Sequence, residues 1–178
     1  MEFQKVIESR RSVRKYDGAK KVTEEQVREV ISAAIEAPTW KNSQTARYYC
    51  IMSDEMCKRI REECLPGFNC ERSENAVLIV TCFVHNVSGF NKQGEPDNEA
   101  GNGWGFYDLG LSSENLVLKA ADMGLGTLIM GIRDGEKLRE LLSIPETETV
   151  VSVISLGYPA EEPNRPKRKT VDEMAKFL

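Results

Sequence analysis

The chain has 178 residues, of which 40% are hydrophobic and 29% charged, which fits a single globular domain spanning 1–178 and excludes a disordered or fibrous chain. A formal net charge of -4 opposes general nucleic-acid affinity. The longest apolar run, Ala76 to Val84, is about half of the ~20 residues that a membrane-spanning helix requires, so no membrane insertion is expected.

The first five residues show no basic segment followed by an apolar core, and the expected compartment is the cytoplasm. Cys50, Cys57, Cys64, Cys70 and Cys82 are an odd set at irregular spacing, which argues against a disulfide framework. Cys57, Cys64 and Cys70 lack the close pairing of zinc ligands, and the single histidine, His85, cannot complete a two-Cys, two-His set, so no metal is expected. Any Ser-His or Cys-His mechanism would rest on His85 alone, at the point where an apolar run gives way to a polar loop. That placement reads as a solvated strand end.

In chain order, Phe3, Val6 and Ile7 suggest a short first helix, and Arg10 to Tyr16 reads as extended, with Arg10, Ser12 and Arg14 on one face. Thr23-Glu24-Glu25-Gln26 has the form of a capping box, followed by Val27, Val30, Ile31, Ala34 and Ile35 at helical spacing; Pro38 stops this helix. Thr39 to Gln44 is a polar loop. Arg47 to Met52 predicts a strand, and Ser53 caps a helix running to about Cys64, before Leu65-Pro66-Gly67. Ala76 to Phe83 predicts a strand buried on both faces. Residues 85–102 lack periodicity, which marks either a lid or substrate loop or a disordered insertion. Trp104 to Met123 predicts a long helix with Gly124 as its C-terminal stop, followed by a strand at 126–131, a helix from Asp134 through Leu142 and a strand from Thr149 to Leu156. A basic loop and a short amphipathic helix, Val171 to Leu178, complete the chain. Interleaved helices and strands imply a layered α/β arrangement.

Neither Gly101-Asn102-Gly103-Trp104-Gly105 nor Gly124-Leu125-Gly126 sits in the strand-to-helix context of a dinucleotide fingerprint, and no P-loop or paired hydrolytic carboxylates can be identified. Two cationic stretches remain. Lys5 to Lys21 holds seven basic residues against Glu8 and Asp17, and Arg165, Lys167, Arg168 and Lys169 cluster near the other end. Brought together, they would form one concentrated anion site suited to a phosphate; kept apart, they are solvated basic stretches. With few acid/base groups and a glycine-flanked strand, such a site suits a bound cofactor that carries the chemistry.

The residues Arg10-Arg11-Ser12-Val13-Arg14-Lys15-Tyr16, Ala37-Pro38-Thr39 with Asn42-Ser43-Gln44, Tyr107-Asp108-Leu109-Gly110 leading to Gly124-Leu125-Gly126-Thr127, Leu156-Gly157-Tyr158-Pro159 and the basic tail together resemble the FMN-dependent nitroreductase family. The resemblance covers nearly the whole chain in the family's order. It implies an α+β fold, with a mixed central sheet flanked by helices in a three-layer sandwich, and an intertwined homodimer. It also implies FMN bound by Arg10, Arg11, Ser12 and Arg14, with Arg10 toward the phosphate and ribityl chain and Arg14 toward the N1/O2 edge. Lys167, Arg168 or Lys169 would complete the phosphate site. Pro38, Thr39 and Asn42 would come from the second subunit, and the backbone of Met130 and Gly131 would lie near N5 and O4. No side chain is implied as nucleophile or acid/base catalyst.

The family's usual Asn-Ser-Gln-Pro-Trp is here Asn42-Ser43-Gln44-Thr45-Ala46, preceded by Trp40-Lys41, so the pocket beside the ring is expected to be reshaped. The activity implied is transfer of hydride from NADH or NADPH, through FMN, to a small electron-poor acceptor such as a nitroaromatic or quinone. Two alternatives stand beside it. One is a narrower flavin enzyme of the same fold, for reductive dehalogenation or flavin cleavage, with 85–102 closing over its substrate. The other is a non-enzymatic binding protein that uses the basic tail.

Overall fold

The computed structural model describes residues 2–178, so Met1 lies outside the described residues. In chain order the elements are α1 (Phe3–Ser9), α2 (Glu24–Ile35), β1 (Ala46–Ile51), α3 (Asp54–Cys64), α4 (Gly67–Arg72), β2 (Val77–Val84), α5 (Gly103–Asp122), β3 (Gly126–Met130), α6 (Gly135–Leu142), β4 (Glu148–Gly157) and α7 (Val171–Met174), with a single 3-10 turn at Trp40–Asn42.

The strands pair antiparallel in the order β1-β2-β4-β3. The parallel component is a one-residue bridge, Ser12 to Thr127, which lays the segment after α1 beside β3. Alternation along β2 divides the core. Leu78 and Val80 face α3 and α6, together with Ile60, Leu138 and Val153; Ile79 faces α2 and α5, together with Val30, Leu116 and Ile154. The result is the three-layer α+β sandwich, with the sheet as its middle layer.

Local chemistry sets the element ends. Thr23 and Gln26 form the reciprocal capping box at the start of α2, and Ser53 and Asp134 cap α3 and α6. Gly124, at φ +75°, terminates α5. Gly105 lets α5 settle directly on the Phe83 ring, where an added Cβ would overlap ring carbons.

Three expectations change. Arg10 to Tyr16 is not a regular strand: Val13 and Tyr16, three apart, are the buried anchors, and Arg11 turns to the same cleft as Arg10. The predicted break at Leu65-Pro66-Gly67 instead starts α4, because Pro66 serves as its N-cap. The C-terminal helix shortens to four residues; Val171, Met174 and Phe177 are all exposed, with no apolar surface beneath to prolong it. Residues 85–102 are a series of turns closed by a Phe90–Pro96 bridge and by an Asp97 N–H to Gly89 carbonyl bond of 2.7 Å. Among the described residues, no helix is long and apolar enough to cross a membrane, and no group of side chains is arranged to hold a metal ion.

Candidate functional site

The two cationic stretches meet. The Val13 N–H donates to the Thr127 carbonyl at 2.9 Å, and the Val13 side chain fills the space left by Gly126, where an added Cβ would come within 2.7 Å of it. Tyr16 lies over Gly157 in the same way and bonds the Val13 carbonyl and the Ser155 hydroxyl, at 3.0 and 2.8 Å. Burial pushes the Tyr16 phenol far above its ordinary range, opposed only partly by the Ser155 bond, so it stays a neutral hydrogen-bonding group. On the other side of this segment the Ala160 N–H donates to the Lys15 carbonyl at 2.9 Å, and the Arg14 N–H donates to Glu161 Oε1 at 2.6 Å. The segment after β4 is therefore fastened to the segment after α1.

Arg10, Arg11, Ser12 and Arg14 line a cleft of about 210 Å³, and Arg168 of the tail reaches the same cleft. A neighbouring cavity of about 440 Å³ shares Arg10 and Arg11 and is lined by Gly124 to Thr127 on one side and by Glu161 and Glu162 of the tail. Among the described residues, none of these four guanidiniums forms an ion pair. Arg11 donates to the Glu8 and Arg10 carbonyls, and Arg14 to the Ser12 carbonyl. Four cations converge on the cleft against the Glu161 carboxylate bonded to the Arg14 main chain beside it, and this excess of positive charge favours an anion between them. A doubly charged phosphate fits the residues present, and the glycine-lined side of the cavity leaves room for an extended ligand.

The remaining expected residues fall outside this cleft. Lys167 and Lys169 flank Arg168 but do not line it. Met130 is buried at the end of β3, three residues and roughly 10 Å along the strand from the Ser12 bridge. Gly131 follows it in open space, where an added Cβ meets nothing within 4 Å. Pro38, Thr39 and Asn42, in the loop after α2, line neither the cleft nor the neighbouring cavity.

Sequence reasoning missed what holds that loop. Asp108, 3% exposed on α5, accepts the Trp40 N–H at 2.9 Å and the Ser88 hydroxyl at 2.7 Å. The signal was present: Asp108 precedes Ser112 and Leu116 at steps of four and so falls within the buried stripe, where a charged residue is out of place. Glu161 was missed too, being one of two adjacent glutamates in an irregular tail.

A further cavity, of about 810 Å³, opens beside His85, Arg133, Arg139 and Cys64. Arg139 is committed to the carbonyls of Ile144, Pro145 and Glu148. Burial pushes the Cys64 thiol up to about 11, so it is not a nucleophilic thiolate at neutral pH.

The Nitroreductase family model matches residues 7–158. A protein of Archaeoglobus fulgidus, provisionally named NADH dehydrogenase/NAD(P)H nitroreductase, is 32% identical over 162 residues, spanning 89% of this chain and 86% of the other. A Staphylococcus aureus NADPH-dependent oxidoreductase is 25% identical over 165 residues, spanning 89% of this chain and 65% of the other. Among solved structures, a nitroreductase family protein of Streptococcus pneumoniae superposes with a TM-score of 0.84 at 21% identity, over 99% of this chain and all of the other. A protein of Exiguobacterium sibiricum, provisionally named a nitroreductase and solved in complex with FMN, superposes with a TM-score of 0.82 at 21% identity, over 100% of this chain and 98% of the other. Matched from α1 to the end of β4 by the family model and in fold by solved members, the chain belongs to the Nitroreductase family.

Proposed function

We propose that the protein is an FMN-dependent oxidoreductase that draws reducing equivalents from NADH or NADPH and delivers them to a small electron-poor acceptor such as a nitroaromatic or a quinone. The observation that carries this reading is the convergence of Arg10, Arg11, Arg14 and Arg168, without ion-pair partners, on one cleft beside a cavity with a glycine-lined side. Arg10 and Ser12 hold the phosphate and ribityl chain, Arg168 closes the phosphate end with Lys167 and Lys169 nearby, and Arg14 sets a positive charge at the N1/O2 edge. The main chain of Met130 and Gly131 borders the ring. When bound, the flavin supplies the two-electron chemistry. The polypeptide grips the phosphate, orients the ring and excludes water.

Pro38, Thr39 and Asn42 reach the same site from a second copy, giving a homodimer. Half-exposed Phe106 and Tyr107 on α5, with Ile129 and Ile132 at the β3 edge, are apolar surface of the kind that a second copy covers.

The test is the absorption of the purified protein at about 450 nm, where an oxidised flavin absorbs, before and after anaerobic NADH or NADPH. A yellow preparation that bleaches supports the reading. A colourless protein that takes up no added FMN overturns it.

A further inference from the structure

We propose that Asp108 is a positioning residue that holds the 39–44 loop against the 85–90 segment and so fixes the shape in which that loop meets the flavin. The second part rests on the reading above that Thr39 and Asn42 contact FMN.

Within the loop the Gln44 N–H donates to the Thr39 hydroxyl at 3.1 Å, and the Asn42 and Ser43 N–H groups donate to the Thr39 and Trp40 carbonyls at 3.0 and 2.9 Å, all of them local bonds. Lys41, Asn42 and Gln44 all carry positive φ, at 48°, 57° and 49°, a conformation disfavoured for side-chain-bearing residues. All three are exposed, so no apolar core compels it. What compels it is hydrogen bonding. A buried carboxylate is tolerated only when donors satisfy it, and Asp108 Oδ2 takes both the Trp40 N–H and the Ser88 hydroxyl. Ser88, itself 1% exposed, lies 2.7 Å from the Ser43 hydroxyl and 3.3 Å from that of Thr45. One charged oxygen thus ties α5 to both ends of the 40–45 stretch and to the segment after β2.

The remaining cross-links are weaker substitutes. Trp40 and Trp104 pack with ring centres 4.4 Å apart and planes tilted by 47°, and Lys41 pairs with Asp97 at 2.6 Å, with the lysine exposed to screening solvent. The buried Trp40 Nε1 has no partner among the described residues, so the main-chain N–H on Asp108, not the indole, anchors this residue.

The experiment uses the full chain as parent, Asp108→Ala, Asp108→Asn and Ser88→Ala. Amide hydrogen exchange is followed by mass spectrometry, and FMN affinity by quenching of flavin fluorescence. In Asp108→Ala, amides of both 40–44 and 86–90 should exchange at least about tenfold faster with β2 and β4 unchanged, and FMN should bind about tenfold more weakly. Asp108→Asn, whose amide oxygen still accepts the Trp40 N–H, should lie within about threefold of the parent on both readouts. Faster exchange in neither segment, or in only one, overturns the positioning role. Coupled loosening with unchanged FMN affinity upholds that role and overturns the flavin contact assigned to Thr39 and Asn42. Should Asp108→Ala fail to fold, Ser88→Ala decides: loosening at both 43–45 and 86–90 supports the link, and loosening at 86–90 alone overturns it.

Discussion

Arg10 carries the site's most direct residue-scale consequence. Its guanidinium has no ion pair among the described residues and lines both the small cleft and the larger cavity. On the site proposed above, replacing it by alanine should remove one charge-assisted contact to the phosphate and weaken FMN binding by about 1.5 to 3 kcal/mol, roughly tenfold to over a hundredfold, as read by equilibrium dialysis. The fold should be unaffected, because Arg10 packs no core.

A buried thiol and a half-buried phenol set a different residue-scale limit. Burial raises Cys82 from 9.0 to about 12, reinforced by the nearby Glu148 carboxylate. Burial also raises Tyr49 to about 12, and its hydrogen bond to Glu148 adds to the effect. Both groups hold their protons more tightly folded than unfolded. Their contribution to stability is therefore intact below the unfolded values, near 9.0 for Cys82, and drains away as pH climbs toward 12. Urea midpoints should fall steeply above about pH 9, and the slope should flatten in Cys82→Ala.

At the scale of elements, α2 and α5 show where small features dominate. Loss of the Thr23 side chain in Thr23→Ala should cost about 1 kcal/mol of unfolding free energy, measured by urea titration, and leave FMN affinity unchanged. Gly105→Ala should cost more, about 1 to 3 kcal/mol, because α5 must lift off Phe83 to admit a methyl group. These two elements were also the most legible in the sequence: the capping box, the period-3.6 stripe and Gly124 each act within a few residues of themselves.

Legibility fails where distant contacts decide. The alternation read into Arg10 to Tyr16 ignored that Gly126 and Gly157, more than a hundred residues away, open the slots that Val13 and Tyr16 fill. The cationic cluster itself was readable as composition, but its closure depends on the Arg14–Glu161 and Lys15–Ala160 bonds, which nothing local announces. Asp108 was visible as a charge inside an apolar stripe. Its two donors came from loops without any periodic pattern, so its task could not be read.

For the molecule as a whole, the sandwich leaves apolar side chains uncovered on α1, on α5 and along the β3 edge, and Thr39 and Asn42 do not line the arginine cleft. The pairing of two copies proposed above would account for both. Sedimentation equilibrium should give about twice the chain mass of 20.0 kDa, and replacing Phe106 and Tyr107 together by serine should shift the protein toward the monomer with weakened FMN binding. A stable monomer that binds the flavin as well as the parent would remove the second copy from the site.

The fastening of residues 14–16 to residues 159–161 also orders events in time. During synthesis the first arginines emerge early, yet their counterpart at Arg168 leaves the ribosome only after β4 has been made. Until then the cleft lacks one of its four cations. On the site proposed above, cofactor loading should follow the making of β4, and cells short of riboflavin should accumulate an unfilled pool.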